Sequence, residues 1–216
     1  MSGLFRDSLM IDMTNKTSSV AGEALLNLTF ILGGARSGKS ALAEARAREH
    51  GDNVIYCATA EILDEEMKDR VRRHRERRPQ PWRTVEAPRK AAEKLADAMK
   101  AKAADCVLFD CLSVLSSNVL LSLYENIGEA AAFEALCRRE LDALLRLVAA
   151  YPETHWIIVS NEVGMGVVPA YKMGRTYRDM LGRANQAVAS KAGEVIFMIA
   201  GIPVRIKGAS KNSSIE

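Results

Sequence analysis

Thr29-Phe30-Ile31-Leu32-Gly33-Gly34-Ala35-Arg36-Ser37-Gly38-Lys39-Ser40 is the stretch that decides the fold of this chain. Gly33, Gly38, Lys39 and Ser40 complete the spacing G-x-x-x-x-G-K-[ST], with Gly34, Ala35, Arg36 and Ser37 between them. Leu28 to Leu32 reads as a buried strand ahead of the loop, and Ala41 to Arg48 as an Ala- and Arg-rich helix behind it. Glycines let such a loop curl until its backbone N–H groups point inward, forming a cradle for phosphate oxygens at the helix N-terminus. Lys39 is then placed to reach the β- and γ-phosphates of a nucleotide, and the Ser40 hydroxyl to ligate Mg²⁺. The complete motif in its strand–loop–helix setting weighs against a mere glycine turn.

Working outward, short aliphatic runs alternate with helix-like stretches. This is the pattern of a parallel sheet covered on both faces. The expected strands after the first are Val54–Ala58, Cys106–Cys111, Trp156–Ser160 and Glu194–Ile199, with Val204–Lys207 as a hairpin partner of the last. The expected helices are Glu65–Arg78, Arg89–Ala103, Glu129–Ala150 and Tyr177–Ala192. Asn161–Gly174, with its glycines and proline, reads as non-helical. The fold class is α/β: a RecA-like P-loop NTPase with a doubly wound, mostly parallel sheet and a C-terminal antiparallel hairpin. Residues 1–27 read as a loosely ordered extension, 28–207 as one domain and 208–216 as a flexible tail.

Ligands bind such sheets at the carboxyl ends of the strands. That points to Ala58-Thr59-Ala60, Asp110 and Asn161-Glu162. Asp110 closes the apolar run Val107-Leu108-Phe109, the position from which a carboxylate holds Mg²⁺ in P-loop enzymes.

Composition narrows the classes further. With 216 residues and 48% hydrophobic content the chain has enough material for one substantial core. A net charge of +3 is too small for a general nucleic-acid coat. Cys57, Cys106, Cys111 and Cys137 form no C-x-x-C pair and read as free thiols in a reducing cytosol, neither a disulfide frame nor a zinc site. No apolar run reaches the ~20 residues of a membrane span, and no secretory h-region heads the chain.

Positive charge is concentrated in Met67-Lys68-Asp69-Arg70-Val71-Arg72-Arg73-His74-Arg75-Glu76-Arg77-Arg78-Pro79. Helical spacing brings Arg70, His74 and Arg77 to one face. A solvated basic helix or a nucleic-acid stripe is the plain account. No aromatic residues interleave for base stacking, however, and Pro79 stops the helix after Arg78. Arginine forks match phosphates, and like charge disfavours the imidazolium of His74. A neutral imidazole has the lone pair a nucleophile needs, and its attack on phosphorus gives a phosphoramidate.

With these residues in view, the chain resembles the bifunctional adenosylcobinamide kinase/adenosylcobinamide-phosphate guanylyltransferase family of cobalamin biosynthesis, over about Thr29 to Lys207. The resemblance rests on Gly33–Ser40, on Tyr56-Cys57-Ala58-Thr59-Ala60 with Leu63-Asp64-Glu65-Glu66-Met67, and on the basic segment through Arg78-Pro79. It continues in Trp82-Arg83-Thr84-Val85-Glu86, Val159-Ser160-Asn161-Glu162-Val163-Gly164-Met165-Gly166-Val167-Val168-Pro169, Tyr177-Arg178-Asp179 and Gly182-Arg183-Ala184-Asn185-Gln186. The resemblance implies two reactions. ATP or GTP phosphorylates the aminopropanol hydroxyl of adenosylcobinamide. GTP then donates GMP to that phosphate through a guanylylated histidine, releasing pyrophosphate. The nucleophile maps to His74. Nucleotide contacts map to Gly33–Ser40, Ala58, Thr59, Ala60, Arg75, Glu76, Arg77, Arg78, Glu86 and Asp110, with Mg²⁺ on Ser40 and Asp110. A homotrimer, a cytoplasmic setting and no nucleic-acid partner are implied as well.

Glu86 could accept hydrogen bonds from guanine or from the ribose, and Asn161 and Glu162 are candidates for the corrinoid side. Two rival readings use the same loop: a single-function kinase of small metabolites, and a RecA-like ATPase stimulated by nucleic acid.

Overall fold

A computed structural model describes residues 24–61, 79–124 and 130–208 of the chain. The expected basic helix Glu65–Arg78, with His74, Arg75, Glu76, Arg77 and Arg78, lies outside the described residues.

The strands are β1 (Leu25–Gly33), β2 (Val54–Ala58), β3 (Arg83–Glu86), β4 (Cys106–Asp110), β5 (His155–Asn161), β6 (Ala192–Ile199) and β7 (Ile202–Lys207). They form one seven-stranded sheet in the order β3-β2-β4-β5-β1-β6-β7. Strands β1 to β6 run parallel, and β7 pairs antiparallel with β6, as the hairpin reading requires. The helices are α1 (Lys39–Arg48), α2 (Ala91–Ala101), α3 (Leu112–Tyr124), α4 (Ala130–Ala150) and α5 (Lys172–Lys191).

Period-two alternation along the strands divides the core between the two faces. Phe30, Ile55, Phe109, Trp156, Ile158 and Val195 pack against α2, α3, α4 and α5 through Leu95, Leu115, Leu144 and Val188. Ile31, Tyr56, Leu108, Ile157 and Val159 face the other way and meet Ala43 and Ala47 of α1. Alanine on this face lets α1 lie close to the sheet, which draws the loop before it onto the strand ends. Among the described residues no helix is long and apolar enough to cross a membrane.

Several boundaries differ from expectation, each for a local reason. Strand β1 begins at Leu25, ahead of the expected Leu28, because Leu25 pairs with Ala192. Gly193 permits that approach: a Cβ there would lie 2.8 Å from Leu26 Cα. Asn27 Nδ2 then donates to the carbonyls of Tyr151 and Thr154, at 3.0 and 2.9 Å, and secures the turn before β5. Strand β3 was not expected, since three of its four residues, Arg83, Thr84 and Glu86, are polar and it lies at a half-exposed sheet edge. Helix α3 was not expected either. Helix α5 starts at Lys172, inside the stretch read as non-helical. The cysteines are free, as expected, and burial pushes the thiols of Cys106 and Cys137 up to about 12.

His155, just ahead of the expected strand Trp156–Ser160, is the first residue of β5 and stacks on His50 with ring centroids 4.0 Å apart. The Thr29 hydroxyl donates to Glu194 Oε2 (3.1 Å), so it accepts from His155 Nε2–H (3.1 Å). Burial, reinforced by His50, lowers the His155 pKa to about 4. Between that value and the ordinary 6.5 the unfolded chain binds the extra proton. Stability is therefore complete above pH 6.5 and falls as pH drops towards 4, by about 2 kcal/mol after solvent screening of a half-buried ring. Thermal melts across that range should show a steeper loss in the native chain than in His155→Gln. Parallel curves would rule out this contribution.

Candidate active site

Because β1 to β6 are parallel, their carboxyl ends share one edge of the sheet, and the expected site residues gather there. Gly33 ends β1 with φ 156°, and a Cβ on it would meet Met198 O at 2.5 Å and Ser37 Oγ at 2.9 Å. Gly38, with φ 94°, caps α1, and Arg36 is also left-handed with φ 57°. Ser37 N donates to Gly34 O (3.3 Å), and Gly201 N from the β6–β7 turn donates to Ser37 O (3.1 Å). The loop is thus held from inside and from the hairpin, with the N-terminus of α1 behind it.

Lys39 is the first residue of α1 and is only 7% exposed. Its Nζ donates to Gly34 O at 2.5 Å and to Ser37 Oγ at 3.4 Å, so the ammonium folds back over the loop it belongs to. Burial lowers its pKa, while Cys111 and Asp110 act in the opposite direction. Phosphate oxygens offered to this cradle would favour the charged form further.

Asp110 ends β4, in register with Ala58 of β2 and Val159 of β5. Tyr56, buried in β2, donates its hydroxyl to Asp110 Oδ2 at 2.5 Å. One carboxylate oxygen is pinned by this bond, which leaves Oδ1 available at the edge. Mg²⁺ takes hard oxygen donors, few of them from protein and the rest from phosphate and water. A hydroxyl from Ser40 and a carboxylate from Asp110 are of that kind. Among the described residues no group of three or more His, Cys, Asp or Glu side chains could hold a metal by itself.

Thr59 is fully buried, and its hydroxyl is committed on both sides. It accepts from Cys111 N (2.8 Å) and donates to Cys111 O (2.9 Å), while Thr59 N donates to Asp110 O (3.1 Å). Asn118 Nδ2 donates to Thr59 O (2.8 Å) and to Pro88 O (2.9 Å). Thr59 therefore clamps the ends of β2 and β4 together, and its side chain faces inward. Ala58 and Ala60 flank it, both half-buried. Behind Asp110, Cys111 Sγ lies 3.0 Å from Ser113 Oγ, which accepts from Asn161 Nδ2 (3.1 Å). Tyr177 OH donates to Ser113 O (3.0 Å), and Asn185 Nδ2 to Asn161 O (3.1 Å). Asn161 is thereby occupied in the scaffold. Glu162 N donates to Gly33 O (2.9 Å), which sets the β5 loop against the phosphate cradle.

The sequence reading missed Tyr56, Cys111, Ser113, Asn118 and Tyr177 as parts of this edge. Only Tyr56 had a usable signal, a polar hydroxyl inside an apolar strand ending in the site. Glu86 ends β3 in register with Ala58 and is exposed. Four strand spacings separate β3 from β1, about 19 Å, so Glu86 and the cradle mark opposite ends of the carboxyl edge. Glu61, the last described residue before the segment with His74, pairs its carboxylate with Arg89 at 3.2 Å.

A family profile and three relatives of known description point to one family. The profile of a family described as cobinamide kinase / cobinamide phosphate guanyltransferase matches residues 29–206. The bifunctional adenosylcobalamin biosynthesis protein CobP of Pseudomonas aeruginosa is 43% identical over 178 residues, 82% of this chain and 96% of that protein. CobU of Salmonella typhimurium, with the same bifunctional description, is 39% identical over 183 residues, 83% of this chain and 99% of that protein. CobU of Escherichia coli is 36% identical over 184 residues, covering 83% and 99%.

Proposed function

Since the chain belongs to the cobinamide kinase / cobinamide phosphate guanyltransferase family, we propose that its single P-loop edge serves both reactions, with Lys39 central to the first and His74 to the second. The chain is a kinase of adenosylcobinamide and a guanylyltransferase of the resulting phosphate, in cobalamin biosynthesis. What supports the division of labour is the cradle itself: a buried ammonium folded onto Gly34 O, beside a carboxylate held by Tyr56.

In the kinase step the nucleotide's β- and γ-phosphates lie in the Gly33–Ser40 loop, and Lys39 moves from Gly34 O to the stronger acceptors they offer. The aminopropanol oxygen attacks the γ-phosphorus, the β–γ bridging P–O bond breaks to release the nucleoside diphosphate, and the hydroxyl proton passes to water. Inward-pointing N–H groups and Lys39 take up the charge that moves onto the leaving diphosphate. Ser40 and Asp110 would hold Mg²⁺, which when bound would offset the negative charge of the β- and γ-phosphates.

In the second step an imidazole nitrogen of His74 attacks the α-phosphorus of GTP, and pyrophosphate departs as the α–β bridging bond breaks. An oxygen of adenosylcobinamide phosphate then attacks the guanylyl phosphorus, and the P–N bond breaks. Adenosylcobinamide-GDP leaves and the imidazole is restored. The covalent route splits one displacement between two anions into two, each within a cationic frame. Arg75, Arg77 and Arg78 would pair with phosphates, Glu76 lies among them, and Glu86 would accept from the guanine or ribose at the far end of the edge. Ala58 and Ala60 would pass close to the nucleotide, while Thr59 acts through the clamp it forms. The assembly we propose is a homotrimer. The uncovered row Ile199, Ile202, Val204 and Ile206 on the β6–β7 hairpin offers apolar surface of the kind subunits bury.

Incubation with GTP labelled at the α-phosphorus tests the reading. Label should remain on the protein through alkali and leave in acid, as a phosphoramidate does. Label moving only from the γ position to a small molecule would reduce the chain to a simple kinase. Tyr56→Phe probes the metal side. Removing the hydroxyl frees the Asp110 carboxylate to rotate, and metal affinity should weaken about tenfold. Calorimetric titration of nucleotide at graded Mg²⁺ reads this without turnover. An unchanged Mg²⁺ dependence would strip Tyr56 of its positioning role.

A further inference from the structure

The loop between β5 and α5 presents an apolar surface that neither nucleotide step uses. Met165, Val167, Val168 and Tyr171 are exposed, Val167 to 96%. The stretch Met165-Gly166-Val167-Val168-Pro169-Ala170-Tyr171 carries no charged side chain. Exposed apolar side chains gathered in one place on a chain of this size mark a ligand or partner surface.

This loop is held in place. Its first residue, Glu162, donates from its backbone to Gly33 O (2.9 Å), and Glu162 Oε1 accepts from Gly164 N (2.5 Å) in the turn that follows. At the far end Arg175 Nη1 donates to Ala170 O (2.6 Å) and Pro169 O (3.1 Å). Gly174 lets Pro169 and the Tyr171 ring pack on α5, since a Cβ there would stand 2.8 Å from each. Tyr171 also borders a cleft of about 160 Å³ between α3 and α5, opposite Leu120 and Leu121. Bonded at both ends and backed by a helix, the loop forms a ledge that starts at the phosphate cradle, where Glu162 meets Gly33, and ends at the cleft beside Tyr171.

We propose that this ledge is the docking surface for the corrin macrocycle of the acceptor, with Val167, Val168 and Tyr171 against its apolar face. The inference rests on the kinase reading of the site. An acceptor hydroxyl must stand next to the γ-phosphate for in-line transfer. The aminopropanol arm is a small part of adenosylcobinamide, so the bulk of the molecule needs support beside the cradle. The ledge is the uncharged apolar surface continuous with the end of β1 through the Glu162–Gly33 bond. Methyl-bearing ring faces match it, whereas the nearest cations, Arg175 on the Pro169 and Ala170 carbonyls and exposed Lys172, stand at its helix end and not among Met165, Val167 and Val168. The cleft under Tyr171 has room for one peripheral side group of the macrocycle, which would set the ring's rotation and aim the arm.

The test uses the full-length chain and adenosylcobinamide, whose corrin absorbance reports binding directly. Val167→Asp and Tyr171→Ala should each raise its Kd and its KM in the kinase assay about tenfold, the effect of withdrawing one buried apolar side chain. Affinity for GTP should stay within about twofold, and Val167→Leu should behave like the native chain. Sedimentation should be the same for all three. Unchanged corrinoid binding in both variants overturns the proposal. So does a shift of either variant to a smaller sedimenting species, which would assign the ledge to contact between copies of the chain. A native chain that neither binds nor phosphorylates adenosylcobinamide defeats the kinase reading itself, a result distinct from the other two.

Discussion

Lys39→Met lowers kcat/KM for phosphoryl transfer to adenosylcobinamide by about a thousandfold, and weakens nucleotide binding with it. The size of the effect follows from where the ammonium sits. Lys39 is 7% exposed, so its field is little damped by water, and its Nζ lies over the loop that will hold the phosphates. Charge flows onto the diphosphate leaving group as the bridging bond breaks, and a fixed cation favours that state more than the ground state. Methionine keeps the length of the stem and the packing against the loop but supplies no charge. The fold should survive, because burial already disfavours the ammonium at this position. Initial rates against nucleotide and acceptor concentration, beside melting curves, decide the matter. A loss of less than about tenfold in a well-folded variant would move phosphate handling away from this loop.

His74→Ala produces the complementary pattern. Phosphorylation of adenosylcobinamide should persist within about twofold, while GMP transfer falls about ten-thousandfold or more, since the bond-forming atom itself is gone. In the sequence Arg73 and Arg75 flank His74, and like charge disfavours its imidazolium. The acid-labile, alkali-stable label from α-labelled GTP should vanish in the variant. Guanylyl transfer that continues without His74 would end the covalent route. Together the two substitutions separate the reactions: one variant fails at the γ-phosphorus, the other only at the α-phosphorus.

Much of the edge was legible because phosphate chemistry constrains residue types closely. Gly33, Gly38, Lys39 and Ser40 stand at fixed offsets, and the aliphatic runs around Val54, Val107, Trp156 and Val195 are too short and apolar for anything but buried strands. Helix α3 escaped for a physical reason. Leu112, Ser113, Leu115, Ser116, Val119 and Leu120 are all buried, and the open side carries Val114 and Leu121, so no charged stripe gives an amphipathic period to read. Strand β3 escaped for the opposite reason, as a half-exposed edge with little apolar content. The start of α5 was obscured by Gly174, which resembles a helix breaker but serves the packing of Pro169 and Tyr171.

The sequence by itself determined that a strand–loop–helix cradle for phosphate exists, that a carboxylate closes a strand nearby, and that a cationic segment carries a histidine. These rest on local spacing, which short-range geometry translates directly into backbone shape. Tertiary structure alone decided which groups act on one another. Tyr56 and Asp110 are 54 residues apart yet share a hydrogen bond, because β2 and β4 are neighbours in the sheet. Thr59 became a clamp, and Glu162 met Gly33, for the same reason: strand order brings distant chain ends to one edge. No periodicity along the chain encodes that order. It is set by which apolar faces the crossover connections can bury together.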